Sequence, residues 1–436
     1  MGKKLRVLLI AEQCNPEWPS VPLVAYRLYE TLSHLVDVTL VTHARNQQGL
    51  EKHHPTAKIH YISESNLLQR YYGVVKTLVG GKRTIWPLYH TLSYPIYEEF
   101  NQKVYGAFKD QVLAGEFDVV HVVTPMMPRY PSKMVKACRS VPFVLGPVNG
   151  GVPFPPGFQE KAKAEFAGLN FLRAVGRWLI PGYVETYRKA DKVLAGSTYT
   201  YNDLKEMFAI AGDRMELVYE NGILDTFFHH PKPSRTDDRV NLLFVGRLVP
   251  YKCADIAIDA IARVDEGIRQ KLRFTIVGDG SERAALEQQV KRLNLEDTVH
   301  FAGWVKPDET INHYATADIF CFPSIREFGG AVVMEAMACG LPCIVVNNGG
   351  IGEYVTDQTG FRIEPHSREY VIHQVAEKIA LLVEQPEVRQ QLAAASVNRA
   401  RSFVWSRKAE QIVQQYYEAI AQKRLEGVSV LAQGSI

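Results

Sequence analysis

Short apolar runs alternate with segments of helical periodicity along most of the chain, and this alternation predicts parallel α/β structure. The first run, residues 5–11, is apolar throughout, as expected for a strand covered on both faces. Apolar residues then recur at helical spacing over 24–35, and a second apolar run follows at 38–42. Strand, helix and strand in this order predict a βαβ unit.

The chain length and a polar break in this pattern predict more than one domain. At 436 residues the chain is too long for a single ordinary core. The polar, proline-bearing stretch 229–239 is typical of an interdomain linker, and a new apolar run begins at Asn241. The pattern on both sides of this stretch predicts two doubly wound α/β domains.

One stretch combines this pattern with candidate chemistry. An apolar run at 319–322 predicts a strand, and a loop with two glycines leads into helical spacing from about Ala331 to Cys339. Glycines without Cβ atoms admit a ligand close to the backbone. The N–H groups that open a helix favour an anion such as a diphosphate. The backbone of 329–332 is therefore a predicted anion site.

Two glutamates flank this predicted anion site. Glu335 lies inside the helix, where side chains lean toward the N-terminus, so its carboxylate is expected to point back toward the ligand. An ionised carboxylate accepts hydrogen bonds only, which suits a sugar diol such as a ribose. Glu327 precedes the helix, on the opposite side of the anion site. Two solvated surface carboxylates are the alternative.

Two cations follow the strand that opens the second half of the chain. Arg247 and Lys252 lie in one loop after the apolar run that begins at Asn241. Arginine as a rigid fork and lysine as a point charge both suit a diphosphate, with ordinary surface cations as the alternative. Cations and glutamates together predict a site for a nucleotide-diphosphate sugar.

Two polar stretches of the first half are further site candidates. His121 and Thr124 lie at the end of an apolar run, where a parallel strand opens on a cleft. A buried histidine with satisfied ring nitrogens is the alternative. A second run ends in Asn149, Gly150 and Gly151, which we expect to line the acceptor side, with a plain turn as the alternative.

The string 320–355 resembles the Glu-x7-Glu signature of the retaining GT-B glycosyltransferases, most closely glycosyltransferase family 4. Segments at 221–227, 246–252 and 301–305 resemble further parts of that family, and the resemblance is close from about 215 to 405. It implies the GT-B fold, with Rossmann-like domains at 1–225 and 226–404 facing a cleft. It also implies a last helix, 405–425, that crosses back to the first domain.

The resemblance also implies an activity and the residues that perform it. The implied reaction moves a hexose from a UDP- or GDP-linked donor to an acceptor hydroxyl, with retention at the anomeric carbon. No Asp-x-Asp metal clamp occurs in the chain, so we expect metal-independent transfer, with no cofactor besides the nucleotide-sugar substrate. The expected catalytic residues are Glu327 and His121. The expected donor-binding residues are Arg247, Lys252, Gly278, Val305, Phe328, Gly329, Gly330, Ala331, Val332 and Glu335.

The chain departs from the family pattern at three places in or near the expected cleft. The first loop reads Pro-Ser-Val-Pro at 19–22 where the family usually has two glycines. Val123 replaces a second histidine, and Cys253 replaces the glycine after Lys252. These departures keep two alternatives open. One is a catalytically silent sugar-binding scaffold, and the other is a GT-B hydrolase or epimerase acting on a nucleotide sugar.

Composition and charge argue against several other classes. The chain is 46% hydrophobic and 22% charged, as in ordinary globular proteins, and its net charge of +3 is too small to predict nucleic-acid binding. The first strand is not followed by the GxGxxG that a dinucleotide-dependent oxidoreductase needs. We expect a cytoplasmic protein with reduced cysteines, no secretory leader and no membrane-spanning segment.

Two aromatic and basic segments, 67–105 and 158–188, suggest one more partner. Aromatic and Lys/Arg side chains suit the surface of a membrane, and amphipathic helices that cover a sheet are the alternative. A weak peripheral contact would place the protein on the inner face of the membrane, where a lipid-linked acceptor fits. A polysaccharide and a small-molecule acceptor are left open.

Overall fold

The computed structural model describes residues 3–79, 85–230 and 238–433, and its strands form two parallel sheets. The strands are β1 Arg6–Ile10, β2 Asp37–His43, β3 Ile59–Ile62, β4 Val119–Val122, β5 Phe143–Val148, β6 Lys192–Ala195, β7 Met215–Leu217, β8 Val240–Val245, β9 Leu272–Val277, β10 Val299–Gly303, β11 Ile319–Phe322, β12 Cys343–Val346 and β13 Gly360–Ile363.

Helices join and cover these strands. They are α1 Val21–Leu35, α2 Gln47–His53, α3 Asn66–Val79, α4 Trp86–Leu92, α5 Tyr94–Leu113, α6 Gln159–Ala164, α7 Phe171–Leu179, α8 Tyr183–Lys189, α9 Thr198–Phe208, α10 Ala254–Arg263, α11 Glu266–Arg269, α12 Arg283–Arg292, α13 Pro307–Thr316, α14 Ala331–Ala338, α15 Gly350–Tyr354, α16 Arg368–Glu384, α17 Pro386–Ala400 and α18 Trp405–Gln433. Among the described residues, no helix combines the length and the apolar character needed to cross a bilayer.

Unit 1 comprises residues 1–151, 168–220 and 405–436. Its seven-stranded sheet has the order β3-β2-β1-β4-β5-β6-β7, and every neighbouring pair is parallel. The central strands are buried along their whole length because helices cover both faces, and this explains their continuous apolar runs. The last helix, α18, packs against α1 within this unit.

Unit 2 comprises residues 152–167 and 221–404. Its six parallel strands follow the order β10-β9-β8-β11-β12-β13. Aromatic rings fill the centre of its core: the Phe244 and Phe322 ring centroids are 5.3 Å apart, and Tyr314 lies 5.9 Å from Phe320. The doubly wound parallel sheets predicted from the strand and helix pattern are therefore present in both units.

The segment 152–167 packs within unit 2, although it lies inside the range predicted as the first domain. Lys161 on α6 forms an ion pair with Asp255 at 2.9 Å, and Arg368 contacts the other oxygen of that carboxylate at 3.0 Å. A Cβ on Gly157 would lie 2.4 Å from the carbonyl oxygen of His366, so only glycine fits this contact. No periodicity signal marks such a packing partner in the sequence.

Two predicted features fall partly outside the described residues. These are residues 80–84 of the proposed membrane segment and residues 231–237 of the predicted linker.

Candidate functional site

The strand order of unit 2 reverses between β8 and β11, and the candidate site is built from the loops that follow these two strands. In open α/β sheets, the crevice at such a switch point, outside the carboxyl ends of the strands, is where ligands bind. The loop after β8 carries Arg247 and Lys252, and the loop after β11 carries Glu327. The topology therefore brings the predicted cations and one predicted glutamate to the same edge of the sheet.

Lys252 and Glu327 form a direct ion pair at this edge. The Lys252 Nζ donates to the Glu327 Oε2, and the two side chains are only 11% and 14% exposed. Ser324 Oγ lies 3.4 Å from the same carboxylate oxygen, and the Lys252 ammonium lies 4.8 Å from the Phe322 ring centre. A pair this buried is fixed in place, because removing one partner leaves an uncompensated charge.

Arg247 lies in the same loop but is exposed. Its Nη2 donates to the hydroxyl of Tyr251 at 3.1 Å, and no ion pair to Arg247 occurs within the described residues. Its guanidinium therefore keeps several N–H donors available for an anion.

Backbone geometry explains the glycines around Glu327. Gly330 immediately precedes α14 with φ 43° and ψ 56°, and a Cβ there would lie 2.3 Å from the Ile351 side chain. A Cβ on Gly349 would lie 2.0 Å from the carbonyl oxygen of Glu327, and the Gly350 N–H donates to that oxygen at 3.1 Å. The loop before α14 and the chain after β12 therefore lock each other in place.

Arg326 holds the same loop from the other side. Its Nε donates to the carbonyl oxygen of Val152 at 2.7 Å, and its guanidinium lies 4.9 Å from the Phe154 ring and 5.1 Å from the Phe328 ring. Asn348 Nδ2 bridges the carbonyl oxygens of Ile325 and Pro153. The segment that begins at Val152 thus orders the loop carrying Glu327, and sequence analysis missed Arg326 because this partner is distant in the chain.

Glu335 lies on α14, and its carboxyl accepts a hydrogen bond from Tyr314 at 2.9 Å. Burial raises the pKa of Glu335 above its ordinary value, and the hydrogen bond from Tyr314 opposes this rise. Burial also raises the pKa of Tyr314 well above its usual value, so the phenol keeps its proton. Tyr314 was not predicted as a site residue, because a lone tyrosine on α13 carries no motif.

The ends of β8 and β9 pack too closely for side chains. Gly278 has φ 137°, and a Cβ there would lie 2.0 Å from the carbonyl oxygen of Gly246. The Gly278 N–H donates to Gly303 at 2.8 Å, which places the segment carrying Val305 at the same edge. Val305 is half-buried, whereas the neighbouring Trp304 is 67% exposed.

Two departures from the family pattern keep a glycine-like backbone. Cys253 precedes α10 with φ 54°, and Ser20 precedes α1 with φ 69°. Both residues stand where the resemblance expects glycine, and both adopt a positive φ that costs a non-glycine residue about 1–2 kcal/mol. Both substituted positions therefore adopt a backbone conformation that favours glycine.

His121 lies in unit 1 with both ring nitrogens engaged. Its Nδ1 is 2.6 Å from the hydroxyl of Tyr416, and its Nε2 is 2.6 Å from the carbonyl oxygen of Gly146. The side chain is fully buried, and burial lowers its pKa to about 4. Since a carbonyl only accepts, Nε2 carries the proton and Nδ1 accepts from Tyr416. These contacts favour the structural alternative for His121 over the predicted catalytic role.

Asn149 also serves a network inside unit 1. Its Oδ1 accepts from Ser197 at 2.9 Å and from Thr200 at 2.8 Å, next to the start of α9. Gly150 and Gly151 follow with φ 151° and 84°, and the Gly150 N–H donates to Thr200. The network fixes the end of β5, and the acceptor-side role of these three residues stays a prediction.

Within the described residues, no group of three or more His, Cys, Asp or Glu side chains is arranged to hold a metal ion.

The family match lies in the second half of the chain. Residues 225–399 match the family described as "Glycosyl transferases group 1". The chain is 29% identical over 300 residues to a D-inositol 3-phosphate glycosyltransferase of Acidothermus cellulolyticus, covering 65% of each protein. A protein of the same name from Corynebacterium glutamicum is 29% identical over 255 residues, covering 55% of this chain and 60% of that protein. The chain thus spans less than two thirds of the length of these relatives.

Solved structures with the same fold cover nearly the whole chain. Anabaena HepE in complex with UDP has a TM-score of 0.63 at 18% identity, covering 95% of this chain and 100% of that one. Sucrose-phosphate synthase from Thermosynechococcus elongatus has a TM-score of 0.65 at 18% identity, covering 96% and 100%. At this identity the similarity concerns the fold, and it confirms the predicted two-domain Rossmann-like class.

The raised pKa of Glu335 gives a testable pH dependence. Between the ordinary value of 4.5 and the raised value, the folded protein holds a proton that the unfolded chain releases. The free energy of unfolding therefore falls as the pH rises through this interval. Glu335→Gln removes the titrating group and keeps an oxygen that accepts from Tyr314. We expect a higher Tm than wild type at pH 8, and a difference that disappears as the pH falls below about 4.5.

The matched control is Glu384→Gln at the exposed end of α16, for which the Tm difference is expected to stay near zero at every pH. A Glu335→Gln protein with a lower Tm than wild type at pH 8 contradicts this account of the carboxyl.

Proposed function

Because residues 225–399 match the family described as "Glycosyl transferases group 1", we propose that the chain transfers a hexose from a UDP- or GDP-linked donor to an acceptor hydroxyl. One observation carries the proposal: the buried Lys252–Glu327 pair lies at the switch point of unit 2, where the loop after β8 meets the loop that leads into α14. A cation and a hydroxyl-orienting carboxylate in direct contact match the junction between a diphosphate and a sugar.

The diphosphate is bound by positive groups at this edge. Lys252 has three N–H donors and uses one on Glu327, so two remain for phosphate oxygens. Arg247 adds an exposed guanidinium from the same loop, and the N-terminus of α14 adds backbone N–H groups and the positive end of the helix dipole. These groups stabilise the charge that develops on the departing diphosphate, so we propose that transfer needs no divalent ion.

The two glutamates bind hydroxyl groups on either side of the diphosphate. Glu327 orients the donor-sugar hydroxyls, and Glu335 accepts from the ribose. Tyr314 holds one Glu335 oxygen, which leaves the other oxygen for the ligand. The base meets the backbone near Gly278 and Val305. HepE was solved with UDP and with UDP-glucose, which supports uracil as the base in this chain.

We propose that transfer retains the anomeric configuration by attack on the face from which the diphosphate leaves. The bond from the anomeric carbon to the diphosphate oxygen breaks, and a bond to the acceptor oxygen forms. The acceptor proton passes to an oxygen of the leaving phosphate. His121 supports this route, because both of its ring nitrogens are engaged and neither is available as a general base.

The role of Glu327 is tested by Glu327→Gln. The amide still fills the space beside Lys252 but lacks the charge that orients donor hydroxyls. We expect kcat to fall by about 100-fold or more, with UDP binding kept, because Lys252 becomes free for phosphate. The assay measures transfer from radiolabelled UDP-glucose and GDP-mannose to mixed acceptors, with and without EDTA.

The control for this assay is Glu384→Gln, which lies far along α16 and is expected to match wild type. Wild-type turnover by Glu327→Gln rejects the assignment, and a rate abolished by EDTA rejects metal independence. Release of free sugar without any acceptor product favours the hydrolase alternative. Nucleotide binding without turnover favours the silent scaffold.

An exposed apolar surface on unit 1 supports a membrane-bound acceptor. Helix α4 contacts both α3 and α7, and the large apolar side chains on these helices are mostly solvent-exposed. Their exposed fractions are Leu67 77%, Leu78 72%, Trp178 88% and Leu179 73%. Residues 65–79 and 85–97 contain an arginine and a lysine, residues 168–184 contain two arginines, and none of these stretches contains Asp or Glu. We propose that this surface contacts an anionic bilayer, as aromatic and basic interfaces do.

Only part of the predicted membrane segment 158–188 belongs to the proposed membrane surface. Its first part, up to Ala167, packs in unit 2, where Lys161 is occupied by Asp255. Only α7 from that segment remains in the proposed membrane surface.

The membrane surface is tested by the double variant Trp178→Ser/Leu179→Ser. We expect co-sedimentation with phosphatidylglycerol vesicles at low salt to weaken by roughly tenfold or more, because two large apolar side chains are removed. Trp304→Ser, at an exposed position in unit 2, is the control and is expected to bind like wild type. Absence of wild-type binding to these vesicles contradicts the proposal.

A further inference from the structure

We infer that unit 1 contains an anion-binding site centred on Arg129, which takes a phosphate or carboxylate group of the acceptor. This inference rests on the proposed function, since it names the chemical class of the acceptor.

The site lies at the switch point of the unit 1 sheet. The strand order reverses between β1 and β4, which are parallel neighbours. Glu12 follows β1, and Arg129 lies in the loop that follows β4. Arg45 follows the adjacent strand β2. The carboxyl edge of an open parallel sheet at such a point is a preferred place for a ligand.

Arg129 is a half-buried charge without an ionic partner. Its Nε is buried and has no hydrogen-bond partner, and no carboxylate pairs with it among residues 3–79, 85–230 and 238–433. The guanidinium makes a cation–π contact with the Tyr130 ring, whose centre lies 5.3 Å from the guanidinium carbon. A charge that is partly desolvated and unpaired is unfavourable. The presence of such a guanidinium in the fold therefore points to an anionic ligand that pairs with it.

The surrounding groups leave this positive charge unbalanced. Glu12, only 8% exposed, pairs with Arg45 at 3.1 Å, so these two charges cancel. Burial, with a contribution from Arg129, lowers the pKa of His90 to about 2, so this neighbour stays neutral. Tyr130 donates its hydroxyl to the His90 carbonyl oxygen and stacks on Tyr97 at 4.7 Å between ring centres. Among Glu12, Arg45, His90 and Arg129, the positive charge of Arg129 is therefore the one left without a partner.

The chemistry of Arg129 selects the ligand class. A guanidinium presents a planar fork of N–H donors that matches two oxygens of a carboxylate or phosphate. The Tyr130 ring beside the Arg129 guanidinium suits the apolar face of a sugar or a ring-shaped acceptor. A sugar that carries a phosphate or carboxylate therefore fits this edge better than a neutral sugar.

The test compares the binding of glucose, glucose 6-phosphate and glucuronate by isothermal titration calorimetry, with UDP present at saturation. We expect at least one of the two anionic sugars to bind wild type ten times more tightly than glucose. Arg129→Gln is expected to lose this preference, while Arg129→Lys keeps part of it as a point charge. Arg139→Gln, an exposed arginine in the same unit, is the control and should behave like wild type.

The outcomes separate this inference from the proposed function. If UDP binds but wild type shows no preference for either anionic sugar, or if Arg129→Gln keeps the preference, the anion site is wrong and the donor site stands. If the anionic sugars bind through Arg129 but neither UDP nor GDP binds, the anion site stands and the proposed function fails. If only glucose 6-phosphate or only glucuronate binds more tightly than glucose, that result shows whether the acceptor's anionic group is a phosphate or a carboxylate.

Discussion

The buried ion pair between Lys252 and Glu327 is the interaction on which the candidate site depends. Each charge compensates the other at a depth where an isolated charge is costly, and the pair joins the loops that follow β8 and β11. As an ion pair, the two residues carry no net charge together. An entering diphosphate attracts the ammonium while Glu327 remains in place to orient hydroxyls, so one contact prepares both parts of the proposed donor.

Close backbone packing holds the loop that carries Glu327 in position. The carbonyl of Glu327 is held by the glycine turn after β12, and Arg326 is held by the segment that starts at Val152. Glu335 differs from Glu327, because its partner is the neutral Tyr314 and not a cation. Burial raises the pKa of Glu335, so the ionised form is unfavourable in the folded protein. A carboxylate kept at the expense of stability is expected at a ligand site rather than in a structural core.

The sequence predicts those parts of the structure that depend on local pattern. Apolar runs and helical spacing give the two parallel sheets, because strands buried on both faces must be apolar throughout. Gly330 is predicted as a site residue because a glycine admits a ligand close to the backbone, and Gly278 is predicted from the family resemblance. The structure shows that close packing leaves no room for a Cβ at either position. Cys253 and Ser20 are harder to interpret from sequence, since each keeps a positive φ without glycine.

The remaining features depend on contacts between residues that are distant in the chain. The packing of 152–167 on unit 2, the support of Glu335 by Tyr314 and the pairing of His121 with Tyr416 each join separate segments. His121 illustrates the difference, since a histidine at the end of a parallel strand has the same sequence pattern whether it is catalytic or structural. Only the hydrogen bonds at both ring nitrogens, which the structure shows, favour the structural role.

The central claim is that Lys252 binds the second phosphate of a nucleoside diphosphate, and calorimetry with UDP and UMP, and with GDP and GMP, tests it most directly. For at least one base, wild type and Glu327→Gln should bind the diphosphate at least tenfold more tightly than the monophosphate. Lys252→Met/Glu327→Gln removes both partners without leaving a buried charge, and it should lose that preference. Equal binding of diphosphate and monophosphate by wild type, or a preference that survives in the double variant, would contradict the account.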